Sequence, residues 1–157
     1  MRSLLKLKKV NRGVAVSALL LSTLGLTACG ESSQDKATKK VCSSVNEINT
    51  QIKKLESLPI SSNFPTEAKT SIEAIDKSFN EIKTEEANLP SARTEEVNAA
   101  DKAFQAELAL LTESIASTTK SSNLEAALKS AEPQIKATLS KLGSSYKKVH
   151  EELKCSS

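Results

Sequence analysis

Residues 41–55, VCSSVNEINTQIKKL, place apolar side chains at Val41, Val45, Ile48, Ile52 and Leu55. The intervals are four, three, four and three. An α-helix turns once every 3.6 residues, so this spacing puts all five side chains on one narrow face. The same beat recurs downstream. Ala68, Ile72, Ile75, Phe79 and Ile82 form a second stripe, and Val97, Ala100, Phe104, Leu108, Leu111 and Ile115 a third. Leu124, Leu128, Ala131, Ile135, Leu139, Leu142, Tyr146, Val149 and Leu153 form a fourth. No segment alternates at period two for long enough to suggest a sheet. A helix with one apolar stripe is marginal alone, so the four stripes must cover one another. The spacing predicts an all-α fold, an up-down four-helix bundle.

The breaks between the stripes agree. The segment from Leu58 to Pro65 carries two prolines and separates the first two helices. Pro90 ends the second, because proline has no N–H and its ring clashes with the preceding turn. Ser91 is placed to cap the third helix. Ser117 to Asn123 is a polar turn, and Ser122 with Glu125 has the spacing of a capping box for the fourth. Pro133 falls inside the last stripe and is expected to kink the helix or split it. Gly143 is a weaker point in the same element.

The beginning of the chain follows a different logic. Arg2, Lys6, Lys8, Lys9 and Arg12 precede an apolar run that ends at Leu26-Thr27-Ala28-Cys29. A basic start, a short apolar stretch and small residues at a cleavage point make an export signal. The run from Val14 to Thr27 is interrupted by Ser17, Ser22 and Thr23 and is shorter than the roughly 20 residues a spanning helix needs. Leu26, Ala28 and Cys29, followed by Gly30, resemble the lipobox of bacterial lipoproteins. The resemblance implies processing by signal peptidase II and attachment of diacylglycerol to the Cys29 sulfur, with Cys29 the first residue of the mature protein. It covers only the first thirty or so residues. It implies a place in the bacterial cell envelope, with the domain lipid-anchored to a membrane and outside the cytoplasm.

Three divisions follow: a signal peptide at 1–28, a lipidated tether at 29–37 and a helical domain at 38–157. Residues 30–40, GESSQDKATKK, contain no large apolar side chain and read as flexible coil with a reach of roughly 18 Å. Removing the signal takes away five basic residues and no acidic ones. The mature chain then has 22 − 5 = 17 basic and 19 acidic residues, a formal net charge of −2. That balance carries no basic nucleic-acid footprint, so no nucleic-acid partner is expected, and attachment to the membrane falls to the acyl chains.

With Cys29 used for lipid, Cys42 and Cys155 remain. Two cysteines in an exported domain suggest a disulfide. Cys42 is near the start of the first helix and Cys155 just past the end of the last. In an up-down bundle with an even number of helices those points share one end. Two free thiols in redox chemistry are the alternative, but the chain has no C-x-x-C pair.

The sequence offers no catalytic constellation, and the protein is read as not an enzyme. Its one histidine, His150, sits among Lys147, Lys148, Glu151 and Glu152 and reads as part of a solvated face. Helical metal sites need several inward His or Glu ligands, and no such set is present, so no metal is expected. No cofactor is expected either. The glycines do not cluster into a phosphate loop, and no serine lies in a G-x-S-x-G elbow. The mature chain has no methionine to pair with His150 on a haem. Glu81, Glu85, Glu86, Glu95 and Glu96 gather around Pro90. They are either a site for a cation or basic partner, or the counterpart of Lys36, Lys39, Lys40, Lys147, Lys148 and Lys154 at the same end. At the opposite end, Ile60 and Phe64 either plug the open core or form the apolar centre of a docking tip. The resulting reading is a lipid-anchored, non-catalytic binding or interaction module with an envelope partner. The alternative is a structural or accessory subunit of an envelope complex with no ligand of its own.

Overall fold

The computed structural model describes residues 31–156. Cys29 and the expected export signal lie outside them. The described chain is all-helical: α1 spans Ser33–Ser57, α2 Phe64–Glu85, α3 Ser91–Thr119, α4 Leu124–Ser145 and the short α5 Lys147–Glu152, with a 3₁₀ turn at Glu86–Asn88 between α2 and α3. The four stripes form the core. Val41, Val45, Ile48, Ile75, Ile82, Phe104, Leu111, Leu128, Ile135 and Tyr146 have no exposed surface, while Ile72, Leu124, Ala131 and Leu153 pack against the core at its margin.

Helix α1 packs chiefly on α2, and α3 chiefly on α4. The α1–α2 seam is built from small side chains. Ala37, Ser44, Ala68, Ser71 and Ser78 are all buried, and small residues allow helix axes to approach closely. Lys40 Nζ donates to Glu85 Oε1 at 2.5 Å, and Ser44 Oγ donates to Glu81 Oε2 at 3.0 Å. The numbering thus rises on α1 as it falls on α2. The other pair behaves alike, with Asp101 meeting Tyr146 and Glu107 meeting Lys141. Cys42 and Cys155 are joined in a disulfide with Cα atoms 5.3 Å apart.

Several boundaries differ from those read in the sequence. The helical domain starts at Ser33, not near Thr38, so most of the expected tether is helix. The signal is a capping box: Ser32 Oγ accepts from Asp35 N–H at 3.1 Å, and Asp35 Oδ2 accepts from Ser32 N–H at 3.3 Å. Ala37, without exposed surface, is the packing residue of that first stretch. At α3 the N-cap is Pro90 rather than Ser91, and the Pro90 carbonyl accepts from Arg93 N–H at 2.8 Å. At α4 the cap is Asn123 rather than Ser122; its side chain accepts from Ala126 N–H at 3.1 Å.

The last helix is not split at Pro133. Helix α4 runs through Pro133 and ends at Ser145. Pro133 is exposed, so the carbonyl it leaves without a helical donor, that of the exposed Lys129, can be satisfied by water. Buried Leu128 and Ile135 hold the helix on either side. The break comes at Tyr146, with φ −99° and ψ 3°. Ser144 and Ser145 hydroxyls donate to the carbonyls of Ser140 and Lys141, and such back-bonding next to a glycine weakens a helix.

Gly143 itself is helical. A Cβ there would meet only Ile52 Cγ2, at 3.8 Å, an ordinary contact. Gly143→Ala is therefore expected to stabilise the fold by about 0.5–1 kcal/mol, mostly by restricting the unfolded chain. A raised midpoint in thermal unfolding checks this; a lowered one contradicts it.

Candidate functional site

The most unusual chemistry is buried between α3 and the α4–α5 break. Asp101 follows Ala100 on α3 and lies four residues after Val97, at the edge of the apolar stripe. It is 5% exposed. Tyr146, fully buried, donates its hydroxyl to Asp101 Oδ1 at 2.5 Å. The Tyr146 ring lies 5.1 Å from Phe104, which stacks on Phe79 at 5.4 Å, and Lys83 Nζ sits 5.6 Å above the Phe79 ring. Asp101 Oδ2 and Glu86 Oε1 are buried without a hydrogen-bond partner among the described residues.

Burial pushes the Asp101 carboxyl up from 3.8 to about 6. The Tyr146 hydroxyl pulls it down, the nearby Glu86 raises it and Lys83 lowers it. The Tyr146 phenol is raised as well, first by burial and then by its acceptor. The arrangement holds a proton inside the helix layer at mildly acid pH. Asp101 escaped the sequence reading because a single charge beside a stripe looks like a solvated flank. Its one signal was spacing, since it lies three residues before Phe104 and four after Val97.

A pH dependence follows. Between pH 4 and pH 6 the folded state holds a proton on Asp101 that the unfolded state has released. Stability therefore falls as pH rises through that window, and the cost is complete above about pH 6. A shift of this size corresponds to on the order of 1–3 kcal/mol. Asp101→Asn keeps an acceptor for Tyr146 but cannot ionise. Denaturant melts across pH 4–7 should show a stability difference between parent and variant that changes in the variant's favour as pH rises. A constant difference contradicts this assignment.

At the end shared by the start of α1, the 3₁₀ turn and the end of α5, charges are largely paired within the fold. Lys40 binds Glu85, whose carboxyl is lowered chiefly by that hydrogen bond. Lys148 Nζ lies 3.5 Å from Glu96, and Arg93 pairs with both Glu96 and Glu152. Lys39 pairs with Glu31. The acidic group around Pro90 is thus matched by cations at Glu85 and Glu96, while Glu81 accepts from the Ser44 hydroxyl. Exposed ion pairs of this kind contribute little each, but Arg93 and Lys148 do fix α5 against α3. Sequence reading overlooked Arg93 as the central cation.

Two open grooves flank α1. One, about 630 Å³, lies against α2 and is lined by Lys40, Ser43, Lys77, Asn80, Thr84 and Glu85 among others. The second, about 480 Å³, lies against α4 and α5 and includes Asn49, Lys53, Gly143, Lys147 and His150. His150 is half-buried in that groove, so it does not stand on a fully solvated face as its neighbours suggested. Among the described residues, no three His, Cys, Asp or Glu side chains are grouped to hold a metal ion, and no helix is long and apolar enough to cross a membrane.

Of the two readings of the turn at Ile60 and Phe64, burial favours the plug over the docking tip. Phe64 is the first residue of α2 and has no exposed surface. Ile60 is half-buried against the core. The turn folds inward because Phe64 N–H donates to Ser61 O at 2.9 Å and Ser61 N–H to Pro59 O at 2.9 Å. Together these residues close the end of the core. Cys42 and Cys155 are brought together; Cys29 lies outside the described residues. No protein-family model matches the chain, and no curated protein or solved structure matches it significantly.

Proposed function

We propose that this is a lipid-anchored protein of the bacterial cell envelope whose helical domain is a non-catalytic interaction module. The observation that carries the reading is Leu26-Thr27-Ala28-Cys29 behind a basic, apolar leader. Support comes from the Cys42–Cys155 disulfide, since such bonds persist in oxidising compartments outside the cytoplasm. We further propose that α1 to α4 run in up-down-up-down order. The opposed numbering of the Lys40–Glu85, Ser44–Glu81, Asp101–Tyr146 and Glu107–Lys141 pairs supports it, as does a disulfide joining the two ends of the domain.

With the tip closed, the partner surface moves to the helix flanks, where the grooves beside α1 lie. Asp101 and Tyr146 line neither groove, so the buried acid bears on the pH dependence of the fold rather than on surface chemistry.

Mass spectrometry of the membrane fraction is expected to find an N-terminal peptide that begins at Cys29 and carries diacylglycerol. Cys29→Ser is expected to leave an uncleaved or unanchored chain. Release into the medium after cleavage at another bond would sink the anchoring reading. Pull-down of the lipidated protein, with charge reversals at Lys53 and Lys77 on the two grooves, tests the interaction surface.

A further inference from the structure

We propose that the end of the domain formed by the start of α1, the 3₁₀ turn Glu86–Asn88 and the segment around Lys154 sits directly on lipid headgroups. The proposal rests on the reading of Cys29 as the lipid-bearing residue. Its first observation is where α1 begins. Ser32 and Asp35 exchange hydrogen bonds at 3.1 and 3.3 Å, and the Ser32 hydroxyl donates to Asp35 Oδ2 at 2.7 Å. The Ser32 side chain and backbone hold the Asp35 carboxyl below its ordinary value. The helix start is therefore fixed by its own cap.

The second observation is that the first turns of α1 are packed on the domain. Ala37 and Val41 have no exposed surface, and the 3₁₀ turn touches both α1 and α2. Residues after Ser32 cannot serve as slack without uncovering that core. The covalent chain from Cys29 to Ser32 is three peptide links. Fully extended, they span about 11 Å. The headgroup layer of one leaflet is itself roughly 5–8 Å deep. A diacylated Cys29 thus leaves only a few ångströms between the start of α1 and the lipid surface, far less than a coil of ten residues would allow.

The surface brought down carries Lys36, Lys39 and Lys154, all exposed. Lys39 is paired with Glu31, while Lys36 and Lys154 make no ion pair among the described residues. Their ammonium groups suit headgroup phosphates. Lys54, farther along α1, lies about 27 Å from the level of Lys36, given 1.5 Å per residue.

The test is lysine acetylation of the lipidated full-length protein on phosphatidylethanolamine–phosphatidylglycerol vesicles, read by mass spectrometry against the soluble mature domain carrying Cys29→Ser. Lys36, Lys39 and Lys154 are expected to be modified several-fold more slowly on vesicles, with Lys54, Lys69 and Lys120 unchanged. The same spectra report whether Cys29 carries lipid, so failure of anchoring and failure of seating are told apart. Equal modification at both ends of a demonstrably lipidated protein overturns the proposal. A second variant inserts twelve Gly/Ser residues after Gly30, giving a coil with a reach of roughly 19 Å and leaving the core untouched. Protection is expected to disappear. Protection that survives the spacer would mean that the short link does not set the position, and would overturn the proposal as well.

Discussion

Reducing the Cys42–Cys155 disulfide is expected to lower the melting temperature by roughly 15–20 °C, the largest single effect open to test in this fold. The bond spans 113 residues of sequence, nearly the whole domain. In the chain-entropy account, cutting a loop of that size releases about 5 kcal/mol of restraint on the unfolded state, and each kilocalorie shifts the midpoint of a domain this size by several degrees. Total stability of a single domain is only about 5–15 kcal/mol, so the reduced protein should be marginal. The bond also holds the C-terminal segment in place. Asn46 Nδ2 donates to Ser156 O at 2.9 Å, Val149 is 2% exposed, and α5 is fixed to α3 by Arg93–Glu152 and Lys148–Glu96. The check is calorimetry on parent and Cys42→Ser/Cys155→Ser protein, with peptide mapping under non-reducing conditions. A double variant that melts like the parent would remove the disulfide as a structural element.

Phe64→Ala is expected to cost about 3–5 kcal/mol, the usual range for truncating a buried aromatic residue. Phe64 has no exposed surface and opens α2, so its ring is held between the turn and the core rather than offered to a partner. Ile60→Ser in the same turn should cost less, about 1 kcal/mol, because Ile60 is only partly buried. Urea titration of both variants resolves the difference. Equal and negligible losses would mean that the turn stands open in solution, and the docking-tip reading would return.

The helices were legible because their signal is local. Val41, Val45, Ile48, Ile52 and Leu55 recur at helical spacing whatever surrounds them, and each is buried. The cysteine pair was legible too: Cys42 and Cys155 flank the helical stripes, and the structure joins them. The element ends were less so. Asn123 competes with Ser122, also a good cap, while Pro90 takes the cap position before Ser91 without any side-chain cap bond, so the outcome depends on how the preceding turn enters the helix. Ser32 and Asp35 form a reciprocal capping box, yet the absence of large apolar residues around them resembled a coil. Small Ala37 gave no sign that it fills a close helix–helix seam.

The residues alone determine that this chain forms several one-faced helices and that Cys42 and Cys155 stand near the two ends of the helical stretch. These follow from periodicity and short-range chemistry, which neighbours in sequence supply. Tertiary structure decided where the last helix breaks, because Tyr146 finds Asp101 across 45 residues of sequence while Pro133 loses only a solvent-facing bond. It also decided that Phe64 points inward, that Arg93 ties α5 to α3, and that Asp101 holds a proton up to about pH 6. Each of these depends on which groups burial removes from water, and burial is a property of the packed helices rather than of any one segment.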